Sequence, residues 1–341
     1  MAGMKEVNFG CVQSPPDERD FITTAVVPQD TKLSVKVSYR PDAKYVRAQG
    51  MLGTCVGFGG MATKNIHEHR DDNLPDEGLS PLFLYSRCKQ LDGIPNIEGT
   101  YVRVAMKVLH QDGIVPEKDM PYTEVLLNKR WPKITGETLL LAMPYKIDSY
   151  AQVPRGNVDA ARRALAEQGP LMASVMVTMS LITPDGGKYI APMEGTQYGL
   201  HCIAIIGYDD EMTAMVKGKQ YTGFFEVQNS YGTSWADGGF AYMPYDVFAD
   251  TSFIYEVWSS VDYINKQDKP KYHRVQLGAF RVKSNAENYA VKLKAAGYPI
   301  YIVTIGDLYK VQTGAFSIKA NADRLRDELK SKGFDAFITY Y

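Results

Sequence analysis

Near its end the chain repeats itself at a fixed interval, and that repeat constrains the fold more than any other feature. Val275-Gln276 returns as Val311-Gln312, Gly278-Ala279-Phe280 as Gly314-Ala315-Phe316, Asn285-Ala286 as Asn321-Ala322, Leu293 as Leu329 and Gly297 as Gly333, every pair 36 apart. A strict repeat means that one supersecondary unit is built twice. Each copy begins as a strand ("YHRVQLGAF", "LYKVQTGAF") and continues through a helix that Asn285 or a nearby residue is expected to cap ("NAENYAVKLKAAG", "NADRLRDELKSKG"). It then stops at glycine and returns as a strand ("PIYIVTI", "DAFITYY"). Two such copies make a βαββαβ ferredoxin-like sandwich, four antiparallel strands with two helices on one face.

Charge divides the chain at the same place. From Lys271 onward 12 Lys/Arg face 6 Asp/Glu, a net +6, whereas the preceding 270 residues carry 26 against 33, a net −7. The polar stretch "DYINKQDKPK" between them reads as a linker at 265–271. The whole chain is nearly neutral, −1 with pI near 6.5, which gives no case for nucleic acid as a partner. With 45% apolar and 23% charged residues in 341, two folded domains are expected. No apolar run is long enough to insert in a membrane, and the N-terminal stretch lacks the apolar core of a secretory signal. Localisation stays open at this point: the chain stays where it is made, leaves by another route, or is made in the cytoplasm and acts at a surface after release. Four cysteines, with no CxxC and no zinc spacing, fit neither a disulfide scaffold nor a metal site, and no cofactor is expected.

One cysteine stands apart. In "RAQGMLGTCVGFGGMATKNIHEHR" a Gly/polar loop ends at Thr54, and Cys55 starts a segment whose Val56, Phe58, Met61 and Ile66 have helical spacing. A thiol at a helix N-terminus meets unpaired N–H groups that favour its anion. Gln49, six residues earlier, carries an amide able to donate to an oxyanion beside the Cys55 N–H. His201 lies 146 residues downstream in "GLHCIAIIGYDD" and Asn229 28 further in "VQNSYGTSWADGGF", both at strand ends. A thiolate needs an imidazole partner, and the imidazole needs a third group to hold its ring. His67 and His69, in "HEH", do not satisfy HExxH and are expected to face solvent or a polar seam.

These segments, with "LSPLFLYSRCK" and "EGTYVRVAMKVLHQDGIVPEKDMPY" between them, resemble the papain family of cysteine peptidases over about residues 15–262. The resemblance implies an α+β, two-lobed fold: a helical lobe bearing Cys55 and a β-barrel-like lobe bearing His201 and Asn229. It implies that Cys55 is the nucleophile, His201 its partner and general acid, Asn229 the orienter and Gln49 the oxyanion donor. Gly99 and Thr100 would offer backbone bonds to an extended substrate, Tyr101 and Cys202 would line a substrate pocket, and Trp235 would lie over the Asn–His pair. The chain departs from the family at Leu52, where a cysteine usually pairs with the counterpart of Cys88, and at Val56, Leu200 and Tyr231. The tail, with both copies of "VQxGAF…NA", resembles the SPOR domain family, which implies binding to peptidoglycan glycan strands stripped of stem peptides.

The expected organisation is an N-terminal strap (1–40), a peptidase domain (41–264), the linker (265–271) and a SPOR domain (272–341). The strap wraps the fold; in the other reading it occupies the cleft, with Cys11 positioned to block it. The expected function is thiol-dependent hydrolysis of a peptide or protein substrate at bacterial cell wall. The alternative is a catalytically idle scaffold that only binds peptidoglycan. Discriminating protein from stem peptide is beyond the cleft residues.

Overall fold

The computed structural model describes residues 9–18, 20–123, 131–262 and 271–340. The linker expected at 265–271 lies outside the described residues except for Lys271. The chain opens with an extended segment containing β1 (Cys11–Val12), the single turn α1 (Thr23–Val26) and β2 (Lys36–Ser38). A helical lobe follows, with α2 (Cys55–Arg70), α3 (Pro81–Leu91), the short strand β3 (Thr100–Tyr101) and α4 (Val102–Gln111). Helix α3 starts where it does because Ser80 caps it, its Oγ accepting from the Phe83 N–H, with Pro81 at the first helical position. Helix α2 is buried nearly all round. Glycines on its second face let α3 approach: a Cβ at Gly57 would meet the Pro81 carbonyl at 2.5 Å. Lys64 tolerates the burial because it pairs with Glu68 and Asp262.

The second lobe contains α5 (Gly136–Ala142), β4 (Ser149–Val153), α6 (Val158–Gln168), β5 (Leu171–Val177) and α7 (Met179–Ile182). It continues through the hairpin β6 (Gly199–Val216) and β7 (Lys219–Gln228), then β8 (Phe240–Pro244), α8 (Tyr245–Ala249) and β9 (Ile254–Val261). Its sheet runs β3-β1-β6-β5-β9-β4, with β2 also on β6 and β7 bridging β6 to β8. The apolar run of β5 is buried at every residue, as a central strand covered on both faces must be. The N-terminal segment thus belongs to this sheet through β1, which pairs with β3 on one side and β6 on the other.

The repeat folds into β10 (His273–Phe280), α9 (Lys283–Ala295), β11 (Tyr301–Ile305), β12 (Leu308–Phe316), α10 (Lys319–Ser331) and β13 (Phe337–Tyr340). The sheet order is β11-β12-β10-β13 with every pair antiparallel. A separate core of Val275, Leu277, Ala286, Leu293, Val311 and Leu329 lies under the two helices. Neither helix is capped by its repeat asparagine: the N-caps are Val282 and Ile318, and neither supplies a side-chain bond. The entry to α10 is held from the other domain, since the Asp30 carboxylate accepts from the Ser317 and Ile318 N–H groups at 3.0 and 3.1 Å. Among the described residues no helix is long and apolar enough to cross a membrane.

Candidate active site

The loop before α2 is fixed from both lobes. The Gln49 N–H donates to the Ser230 carbonyl at 2.9 Å, and its side-chain oxygen accepts from Ser230 Oγ at 2.6 Å. The amide nitrogen donates to the Leu52 carbonyl at 2.8 Å. Tyr122 Oη donates to the Gln49 carbonyl at 2.7 Å and lies 2.9 Å from Thr54 Oγ1, tying the loop to the start of α2. Cys55 is the first residue of α2, and its sulfur meets the N–H groups of Cys202, Gly10, Val56 and Cys55 itself.

His201, on β6, contributes an imidazole whose tautomer can be read from its neighbours. Asn229 Oδ1 accepts from the Ser230 backbone N–H at 2.7 Å, and a backbone N–H can only donate, so that atom is the amide oxygen. His201 Nε2, 2.8 Å from the same oxygen, must therefore carry the proton. In the neutral ring this leaves Nδ1 as the lone-pair nitrogen, and Nδ1 has no hydrogen-bond partner. The ring lying on His201 is that of Tyr231, centroids 4.9 Å apart, and Trp235 stands edge-on to Tyr231 at 5.9 Å. The Trp235 indole N–H is held by the Leu181 carbonyl at 3.1 Å.

The cleft between the lobes is filled by residues 9–14. Gly10 threads a slot too narrow for any side chain: a Cβ there would sit 1.7 Å from the Gly53 carbonyl oxygen, and one at Gly99 (φ +107°) 2.9 Å from the Gly10 oxygen. The Gly10 carbonyl accepts from the Thr100 N–H at 3.1 Å, so it is turned to the strand opposite and away from the Gln49 amide. Phe9 stands edge-on to His201 with centroids 6.4 Å apart. The Cys11 thiol does not cap Cys55; it donates to Ser174 Oγ at 3.2 Å. Ser14 closes the segment, with its N–H and Oγ both on Glu256 Oε1 at 3.2 and 3.1 Å.

Residues 34–259, well over half of the chain, match the family described as papain family cysteine protease, and residues 269–340 match the SPOR domain. The chain is a papain-family cysteine peptidase. Xylellain, a cysteine protease from Xylella fastidiosa, shares 26% identity and superposes with a TM-score of 0.64 over 76% of this chain and 97% of its own. Bromelain from Ananas comosus, solved with the E64 inhibitor, is 20% identical with a TM-score of 0.51, covering 68% of this chain and 100% of that one, and shows the shared fold alone. Peptidase 1 of Dermatophagoides farinae is 27% identical over 58% of this chain, which spans 56% of that protein's length.

Within this papain-family cleft the filled state sets the protonation. Burial pushes the Cys55 thiol up to about 12 although four N–H groups favour its anion. Burial also lowers His201 to about 4, against the opposing hydrogen bond to Asn229. Both groups are neutral at pH 7 in this state. Two substrate-side expectations need correction. The Gly99 N–H donates to Tyr85 Oη at 2.7 Å, and its carbonyl accepts from Lys89 Nζ at 2.9 Å. Only Thr100 of that pair turns its backbone to the cleft. Cys202 directs its sulfur at α2, where a Cβ on Gly59 would come within 2.6 Å of it. Tyr101 pairs with Val12 of the strap. His67 is buried, its Nε2 3.2 Å from Ser260 Oγ, whereas His69 is partly exposed beside Asp42. Sequence reading passed over Ser230, Tyr122 and Glu256, because each acts through a tertiary contact and none belongs to a local pattern.

Proposed function

We propose that the protein hydrolyses peptide bonds at bacterial cell wall through a Cys55–His201–Asn229 mechanism, with the SPOR domain holding glycan strands. The observation that carries this reading is the Asn229–His201 hydrogen bond, which leaves the lone pair on Nδ1 for the thiol proton. Once water or substrate replaces residues 9–14, the desolvation that keeps the pair neutral is relieved, and the helix N-terminus favours the thiolate. The sulfur attacks the substrate carbonyl, and the oxyanion accepts from the Cys55 N–H and the Gln49 amide. His201 then protonates the leaving amine and draws a proton from the water that hydrolyses the thioester. Asn229 keeps the ring in one tautomer throughout, while Tyr231 and Trp235 exclude water from it. Thr100 bonds an extended substrate by strand addition, as it now bonds Gly10, and Tyr101 flanks it.

The idle-scaffold reading is favoured by one observation, the filled cleft. Labelling by E64, followed by peptide mass spectrometry, separates the two. The expected result is stoichiometric modification of Cys55 once residues 1–14 are removed, and none at Cys88. Loss of Cys55 labelling in that shortened chain sinks the enzyme reading. Digestion of a peptide library and of purified peptidoglycan, comparing the shortened chain with its Cys55→Ala variant, then identifies the substrate class.

A further inference from the structure

Residues 9–31 touch both functional surfaces at once. While residues 9–14 fill the cleft, the stretch beyond them lies on the helix-free face of the SPOR sheet. Alternation along β10 and β12 sends Val275, Leu277 and Val311 to the helices, and Gln276 and Gln312 to the other face. The repeat makes Gln276 and Gln312 direct cross-strand partners, and a ladder runs from Tyr301 Oη to Gln312 and from Gln312 Nε2 to Gln276 Oε1 at 3.2 Å. A polar ladder on an open sheet face should be wet, yet these glutamines are 3% and 0% exposed. Their cover is the strap: α1 packs on β12, and Phe21 stands edge-on to Tyr301 at 6.2 Å. Lys294 Nζ grips the carbonyls of Glu18 and Asp20.

The cover is incomplete in a telling way. A cavity of about 660 Å³ remains between the domains, lined by Tyr272, Arg274 and Tyr301 on one side and Tyr150 and Glu167 on the other. Arg274 Nη1 is buried there with no acceptor. A buried guanidinium N–H without a partner is unfavourable, and an acetamido carbonyl or lactyl carboxylate of a glycan strand would supply the missing oxygen.

We propose that a glycan strand and the strap compete for this face, so that wall engagement withdraws residues 9–14 from Cys55 and switches the peptidase on. The proposal rests on the function proposed above. The linkage between the two grips is short. From Ser14 to Phe21 the chain reaches roughly 25 Å at full extension; Pro15-Pro16 favours an extended form, and a turn follows in which the Asp20 N–H donates to the Asp17 carbonyl at 3.0 Å. Arg103 Nη2 holds its middle, bonding the Pro15 carbonyl and pairing with Asp20 at 2.7 Å. Displacing Phe21 and α1 also breaks the bond from the Gln152 N–H to the Phe21 carbonyl at 2.7 Å and the Arg103 contacts, and the pull then passes to Ser14 and Gly10. A ligand shifts such an equilibrium only through its preference for one state, and here the preference is steric exclusion. Linkage also makes the effect reciprocal: whatever frees the cleft end must strengthen glycan binding by the same factor.

The test uses the full chain with amidase-stripped glycan strands, reading E64 modification of Cys55 by mass spectrometry and strand binding by co-sedimentation. The strands are expected to speed labelling at least tenfold. Gly10→Ala, which cannot seat in its slot, should label fast without strands and bind them more tightly than the parent; Phe21→Ala, loosening the other end, should also label fast. Strand binding without faster labelling overturns the coupling and leaves the proposed function standing. So does fast labelling of Gly10→Ala with unchanged strand affinity. Absence of strand binding overturns both the coupling and the wall-directed part of the function. Absence of Cys55 labelling in every variant overturns the peptidase reading itself.

Discussion

The two ends of the N-terminal strap are held by different physics. At the cleft the grip is steric and backbone-mediated: Gly10 in a slot between Gly53 and Gly99, its carbonyl on the Thr100 N–H, and Ser14 on a buried carboxylate. At the SPOR domain the packing of α1 on β12 and of Phe21 on Tyr301 is joined by charge near solvent: Asp30 on the chain entering α10, and Lys294 on two carbonyls. Bonds of the second kind weaken with salt and contribute little each, whereas a backbone threaded through a glycine slot either fits or does not. The sheet end is thus the place where a competing ligand can act, and the cleft end is the place where the consequence is all-or-none.

The sharpest way to separate the ends is to remove the sulfur. In the chain lacking residues 1–14, Cys55→Ala is expected to lower peptide hydrolysis by at least ~10³-fold, since no other group can form the acyl intermediate. In the full chain the same substitution should leave hydrogen-exchange protection of residues 9–14 and sedimentation with peptidoglycan unchanged, because the slot and the Ser14 contacts do not need the thiol. Loss of protection would mean that the N–H contacts to sulfur, and not the glycine slot, hold that end.

An intermediate effect comes from pH, where the cleft and the middle of the strap pull in opposite directions. His201 is lowered from 6.5 to about 4 in the filled cleft, so closure requires a neutral ring that an open cleft would protonate. As pH falls from 6.5 to 4 the closed state binds fewer protons than the open one, and closure weakens by about tenfold per unit. Asp20 works the other way: burial, opposed by Arg103, raises it from 3.8 to about 6, so the docked strap takes up a proton first and is favoured as pH falls through 6. Wild-type protection of residues 9–14 should therefore fall less steeply on acidification than His201 alone would make it. In Asp20→Asn it should fall steeply on acidification. A flat profile in that variant would show that His201 does not sense the strap.

What could be read from the chain follows the same division. The place of Cys55 at the start of α2 and the pairing of His201 with Asn229 were legible because such chemistry demands particular residue types on loops and strand ends, and the 36-residue repeat because two copies of one unit pair in register, as Gln276 and Gln312 do. The strap's seat was not legible as a decided feature. Glycine contacts and backbone bonds leave no periodic side-chain signature, and both readings of residues 1–40 fitted the same letters. Gly99 failed for a related reason, since a residue name does not say whether its amide faces the cleft or Tyr85. Lys64 and His67 look like surface residues in a helical pattern, and only the arrival of Asp262 and Ser260 from the end of the peptidase domain makes their burial tolerable.

The smallest expected effect tests the weaker end directly. Asp30 is pushed up by burial, but the hydrogen bonds from Asn321, Ser317 and Ile318 outweigh this and hold it below the ordinary carboxylate range, so it is charged at neutral pH. It holds the chain entering α10 across the domain boundary through the Ser317 and Ile318 N–H groups and the Asn321 side chain. Asp30→Ala should accordingly raise the basal labelling rate of Cys55 several-fold, and added salt should do the same in wild type but add little in the variant. Because Asp30 lies far along the chain from Gly10, no change in labelling would show that the two grips are independent, whereas a rise in the variant that added salt increases as much as in wild type would place the salt-sensitive contact elsewhere in the strap.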